Sequence, residues 1–338
     1  MGENKLIATP KKYLKYLLPF FDTKRTREIF SVNPTVMPVR EEAREINVYV
    51  YDYNTTQLQE HDLEEVKDCF YFRDNHNNSW INVDGIRKGD VEAVCNHFKI
   101  HPLIAEDILS VGQRPKMDEV DDVLFCLLNM LYFRENTFSV ESEQISIVVG
   151  KRFIISFQED NKTDVFNQLR EKLRFTNSKI RQSGPDYLCY MMIDLIVDHY
   201  FLVMEKLGEK IEQLEEEIIR YGNTRSLARI NNLRKELIVL RRNVGPVRDL
   251  VNNFIRSESD LLEERTTKYF KDVYDHIMQA NDLVDNYRDM MMNMQDLYMN
   301  KVNLKLNEVM KVMAIVTCLL APATVIGGIF GMHFEKIP

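Results

Sequence analysis

The sequence is poor in the features on which most chemistry is built. It has five cysteines, Cys69, Cys95, Cys126, Cys189 and Cys318, and none forms a C-x-x-C pair. A scattered odd set argues against a disulfide framework or a zinc ribbon and fits a reducing compartment. No H-E-x-x-H, P-loop, G-x-S-x-G or G-x-G-x-x-G occurs, so enzymatic chemistry has no motif behind it. Positive charge is in deficit as well. The 44 Lys and Arg against 52 Asp and Glu give a formal charge of −8, which argues against a nucleic-acid partner. A small organic substrate is not expected either. The first 21 residues are basic and partly apolar, but Lys15 interrupts the run and no small-residue cleavage site follows, so a signal peptide is not expected.

What is present falls into two patterns, and 338 residues allow about two domains. After an N-terminal extension, residues 1–40, the stretch 41–184 reads as an α/β domain. Strands are expected at 46–53, 69–72, 123–133, 144–149 and 153–157, the last two joined by a Gly150-Lys151 turn. Helices are expected at 90–98, capped by Asp90, and at 102–109, with Pro102 in the first position. Past Gly184-Pro185 the β pattern ceases. Helical segments follow at 186–221, at 227–256 with a break or kink at Gly245-Pro246, and from 259 onward. Between residues 260 and 326 there is no glycine, and Pro322 is the only proline. One helix of about 65 residues, roughly 100 Å at about 1.5 Å per residue, is therefore expected. Residues 185–307 form a helical stalk on this reading.

Residues 312–332 contain no charge, enough to cross the hydrocarbon core of a bilayer. A transmembrane helix is expected over 308–330. Lys301, Lys305 and Lys311 precede the uncharged run and only Lys336 follows it, which is expected to place the bulk of the chain in the cytoplasm.

A polar seam runs into that span. Alternate steps of four and three from Asp275 meet Gln279, Asp282, Asn286, Asp289, Asn293, Asp296, Asn300, Asn303 and Asn307, then Met310, Ala314, Thr317, Ala321 and Thr324. About 100° around the helix lie Leu283, Tyr287, Met290, Met294, Leu297 and Leu304, interrupted by Lys301. Solvated helix faces usually mix Lys, Arg and Glu, and the seam from Asp275 to Asn307 has none of these. Carboxylates concentrate cations, and amide oxygens bind them or their waters. The seam is read as a cation path, which needs several copies of the helix around an axis. Oxygen ligands favour a hard ion such as Mg²⁺ or Ca²⁺.

The C-terminal block NEVMKVMAIVTCLLAPATVIGGIFGMHFEKIP resembles the signature region of the CorA family of magnesium channels, whose first membrane helix ends in Gly-Met-Asn. The segments HPLIAEDILSVGQRPK (His101 to Lys116) and YFKDVYDH (Tyr269 to His276) are similar to the same family. The resemblance implies an α+β cytoplasmic domain, a helical stalk and a funnel-shaped homopentamer in the cell or inner membrane. It implies two membrane helices per subunit, so that 331–338 begin an extracytoplasmic loop and a second span is missing from a shortened chain. It further implies that Asn307, Met310 and Thr324 line a pore guarded by Gly331, Met332 and His333, with Asp296 in a ring at its cytoplasmic part; Asn300, Asn303 and Thr317 join them as pore-lining candidates from the seam itself. Asp107 and Asp272 match the family's inter-subunit regulatory site, with Glu106 a neighbouring candidate. There Mg²⁺ holds a closed state when it is plentiful. The ion is thus both transported and regulatory. His333 stands where the family has Asn, and imidazole suits transition metals better than Mg²⁺. A zinc or other transition-metal transporter of the same family, and a non-conducting scaffold, are the alternatives.

Other groups have plainer readings. His97 and His101 fall on different elements because Pro102 starts a new helix, the glutamates from Glu205 to Glu217 form a solvated face, and Met290 to Met294 with Met299 fill core.

Overall fold

The computed structural model describes residues 42–159 and 165–329. The extension 1–40 and the loop 331–338 lie outside these residues. Two compact units form: among the described residues, one comprises 42–209 with 234–288, the other 210–233 with 289–329.

The first unit is built on a seven-stranded sheet. Its strands are β1 (Asn47–Tyr53), β2 (Leu58–Leu63), β3 (Asn78–Asp84), β4 (Lys116–Val120), β5 (Val123–Arg134), β6 (Ser139–Val149) and β7 (Phe153–Gln158), in the order β2-β1-β3-β7-β6-β5-β4. All neighbours are antiparallel except β3 and β7. One face carries Val48, Val50, Ile81, Val83, Phe125, Val148 and Phe157, which pack with Val91, Val94 and Phe98 of α1 (Lys88–Phe98) and Ile104 and Ile108 of α2 (Pro102–Leu109). Each such side chain taken from water contributes about 1.5–3 kcal/mol. This apolar contact fixes α2, and so Asp107, against the sheet.

The 69–72 segment is not a strand. It belongs to a 3-10 helix, Val66–Arg73, whose buried residues Val66, Cys69 and Phe72 recur every third position, the period of that helix. Nor does Asp90 cap α1. The helix starts at Lys88 after Arg87, with no side-chain cap bond, and Asp90 sits in its first turn, where a carboxylate faces the positive end of the helix dipole. α2 begins at Pro102 as expected, and His101 Nδ1 accepts the Leu103 N–H at 3.2 Å. Strands β2, β3 and β4 escape the sequence pattern. β2 (LQEHDL) and β4 (KMDEV) are polar strands on the two edges. β3 carries buried Asn82 and Asp84 because the parallel register sets them beside Ser156 and Gln158. Gln158 Nε2 donates to Asp84 Oδ1 at 2.7 Å, and the Ser156 hydroxyl donates to Asn82 Oδ1 at 2.6 Å.

The helices that follow are α3 (Asn167–Arg174), α4 (Pro185–Arg220), α5 (Thr224–Val244), α6 (Val247–Arg256) and α7 (Glu264–Ile329). The break between α5 and α6 falls at Gly245-Pro246, as the proline requires. α7 runs 66 residues with Pro322 inside it. Among the described residues, two helices are long and apolar enough to cross a membrane, α4 and α7. They differ in burial: 61% of the apolar window of α4 lies inside the fold, and none of that of α7 does. α4 is a core helix, and α7 carries the span.

Within the first unit, α4 and α7 are joined by an aromatic cluster of Tyr187, Tyr190, Tyr269 and Phe270, and by the Tyr287 hydroxyl donating to Met204 O at 3.0 Å. In the second unit Lys301 explains its own interruption of the apolar stripe: Nζ donates to Ile219 O at 2.9 Å and satisfies the end of α4. The stem of Lys301 lies against Gly222, which holds φ +50°, and a Cβ there would come within 2.5 Å of Lys301 Cγ. Gly222→Ala is therefore expected to destabilise the chain by about 1–3 kcal/mol, seen as a lower unfolding temperature. An unchanged temperature would contradict this packing.

Candidate cation path and metal site

All ten seam positions from Asp275 to Asn307 are exposed along one face of α7. On the neighbouring face, Met294 is buried, and Leu283, Tyr287, Met290 and Leu297 are half-buried. The methionine cluster divides between the two environments. Met291 and Met294 fill core, whereas Met292 and Met299 are more than half exposed, which corrects the core reading for that pair.

Above Asn307 the seam changes chemistry. Met310 is exposed, and the hydroxyls of Thr317 and Thr324 donate inward to the helix's own carbonyls, Thr317 to Met313 O at 2.8 Å and Thr324 to Ala321 O at 2.8 Å. With their protons so engaged, both hydroxyls turn only lone pairs outward. A hydrated cation presents water hydrogens, so acceptors are what such a surface needs. Asn300, Asn303 and Asn307 each add an amide oxygen, and Asp296 a carboxylate. Gly331, Met332 and His333 lie outside the described residues.

The expected regulatory residues sit in different surroundings. Asp107, on α2, is bound by Lys116 Nζ at 2.6 Å, and the adjacent Glu106 is exposed. Asp272 is exposed on α7, and its charge adds in a small way to the burial that raises the pKa of Tyr190 and of Asp194. The structure thus does not gather Asp107 and Asp272 into one ligand set within the chain. It gathers another: Asp194 and Asp198 of α4 with His276 of α7, whose ligand atoms lie within 4.8 Å of one another. The sequence carried the signal as two i, i+4 pairs, Asp194 with Asp198 and Asp272 with His276, but their meeting depends on how α4 packs on α7. Burial holds the Asp194 carboxyl above its ordinary range and the Asp198 charge adds to this, against the opposing pull of His276. Among the described residues, His276 Nδ1 is buried without a hydrogen-bond partner. Two carboxylates and an imidazole are a donor set of the kind that divalent ions take.

His97 and His101 are not such a pair. His97 stacks on Phe70 at 4.1 Å and its Nε2 meets Phe70 O at 3.1 Å, whereas His101 caps α2.

The family model described as CorA-like Mg2+ transporter protein matches residues 75–338. The chain belongs to this family. It is 38% identical over 295 residues to the cobalt/magnesium transport protein CorA of Thermotoga maritima, a match covering 87% of this chain and 84% of that one. It is 30% identical over 260 residues to the putative metal ion transporter YfjQ of Bacillus subtilis, covering 77% and 79%. The fold is similar to the complete CorA magnesium transporter of Methanocaldococcus jannaschii, with TM-score 0.68 at 20% identity over 86% of this chain and 88% of that one. The CorA-type α/β domain followed by long C-terminal helices is therefore the architecture of this chain.

The raised pKa of Asp194 has a consequence for stability. In the folded chain Asp194 keeps its proton to higher pH than in the unfolded chain, so the cost of its ionisation appears as pH climbs past the ordinary carboxylate range and persists at neutrality. Asp194→Asn is expected to raise the unfolding temperature at pH 7 without divalent ions and to have no effect at a pH where the carboxyl is protonated in both states. Partial exposure limits the gain to under about 1 kcal/mol. A lower temperature at pH 7 would argue against this electrostatic picture.

Proposed function

We propose that this chain is an integral membrane transporter of divalent cations, with Mg²⁺ preferred, whose α7 helices surround a central path in a homopentamer. The observation that carries the reading is the exposed seam of α7, ten positions of short oxygen-bearing side chains leading into an uncharged span. A relative at 38% identity is named as a cobalt/magnesium transport protein, which agrees with oxygen ligands and a hydrated hard ion. Asp296 concentrates cations at the cytoplasmic part of the path. Asn300, Asn303 and Asn307 accept hydrogen bonds from the ion's waters, and the lone pairs of Thr317 and Thr324 continue that role inside the membrane. Met310 forms an apolar ring between them, and Gly331, Met332 and His333 guard the far mouth.

The cytoplasmic residues supply feedback. Asp107 of one subunit and Asp272 of its neighbour, with Glu106 nearby, hold regulatory Mg²⁺ between them. The ion offsets carboxylate repulsion and favours a closed assembly, and its loss loosens the interface.

Light scattering of the purified chain should show a pentamer that millimolar Mg²⁺ stabilises, and both Asp107→Ala and Asp272→Ala should weaken that stabilisation. In liposomes, Asn307→Leu should lower Mg²⁺ flux at least about tenfold while leaving the oligomeric mass unchanged, since one ring of acceptors for a hydrated ion is lost. A pentamer without flux would point to a scaffold, and flux that Zn²⁺ carries in preference to Mg²⁺ would point to the zinc reading. A metal-indifferent monomer would remove the regulatory site.

A further inference from the structure

Asp107 is held on two sides by the fold. Gln144 of β6 donates from Nε2 to the carbonyl oxygens of Asp107 and Ile108, at 3.3 and 3.2 Å, and ties the last turn of α2 to the sheet. Lys116, the first residue of β4, is set opposite Leu127 in the ladder with β5, and its ammonium lies 6.0 Å from the centre of the Phe125 ring. From that position Nζ reaches Asp107 Oδ2 at 2.6 Å and Asp118 Oδ2 at 3.2 Å. The side chain of Asp107 is 19% exposed and that of Asp118 is 46% exposed, so the shorter contact is also the better shielded one.

We propose that Lys116 is a tethered counter-ion that competes with the divalent cation for Asp107 and so sets the Mg²⁺ concentration at which the regulatory site fills. This rests on the reading of Asp107 as a Mg²⁺ ligand. One ammonium between two carboxylates leaves the trio with a single negative charge. An arriving Mg²⁺ either shares Asp107 with the ammonium, against like-charge repulsion, or moves it onto Asp118, which stands ready as the second acceptor. Burial works against the Lys116 charge, but the hydrogen bonds and charges of Asp107 and Asp118 outweigh it and hold its pKa above the ordinary lysine value. The ammonium therefore remains charged throughout the physiological range.

Two substitutions move the set point in opposite directions. Lys116→Met keeps an unbranched apolar stem near Phe125 and removes the competitor, so half-saturation by Mg²⁺ should fall about fivefold, the scale of a partly exposed ion pair. Asp118→Asn removes the second acceptor and commits Lys116 to Asp107, so half-saturation should rise by a similar factor. The experiment titrates the full chain in detergent with magnesium chloride, at constant ionic strength, and reads the unfolding temperature. Opposite shifts in the two variants support the counter-ion role. A wild-type response that Asp107→Ala abolishes, together with an unmoved midpoint in Lys116→Met or shifts of one sign in both variants, would overturn it and leave a structural clasp beside an intact site. Indifference of the wild type to Mg²⁺, or a response that survives Asp107→Ala, would overturn the regulatory reading itself and the counter-ion role with it.

Discussion

Most of the stability of a helix within a protein comes from packing one of its faces, and for the 66 residues of α7 the packing partner within the chain is α4, the contact on which the remaining structure depends. The contact uses the tyrosine cluster and the Tyr287 hydroxyl in one unit and the Lys301 bond to Ile219 O in the other. Each consumes side chains from the apolar stripe of α7 or from its flank. The stripe of short amides and carboxylates is left uncovered in the single chain. An ordinary soluble helix would fill such a face with Lys and Glu, whose long stems help to cover a helix surface. Short side chains leave room instead, and room with oxygen acceptors is what a hydrated ion requires.

The same contact creates the acidic group on the other side of α7. Asp194, Asp198 and His276 meet because α4 places two carboxylates at i, i+4 where it approaches His276 of α7. Burial and the charge of Asp198 raise the pKa of Asp194, so the contact between α4 and α7 carries a small unfavourable electrostatic energy at neutral pH. α2 contributes a second acidic position by a different route, because the apolar core beneath the sheet fixes the helix while Lys116 balances its carboxylate.

Much of this was readable in the residues. The long helix, its uncharged end and the polar seam follow from spacing alone, because the absence of glycine over so many positions and a strict heptad step leave few other structures. The break at Gly245-Pro246 was equally plain. The sheet was less so. β3 hides its strand character behind Asn82 and Asp84, whose partners on β7 are some 74 residues away, and the 3-10 helix around Cys69 has a β-rich composition with a period of three. The Asp194 group was missed for a related reason: its members are ordinary until two helices come together. Lys116, by contrast, lay within a segment already singled out, but nothing in the sequence shows that its ammonium turns back onto Asp107.

α4 has a further consequence, for the order in which the chain is made. Its apolar window has a mean hydropathy of 1.4, against 2.2 for that of α7, and it emerges from the ribosome first. A nascent segment of that kind is a substrate for the membrane-insertion machinery unless it is covered. All seven strands lie on its N-terminal side, so the sheet is already synthesised when α4 appears, and domains fold as units during synthesis with the N-terminal part first. The buried Tyr200 hydroxyl of α4 donates to Asn129 O of β5 at 2.7 Å, so vectorial synthesis provides a surface that covers α4 before α7 presents the uncharged span.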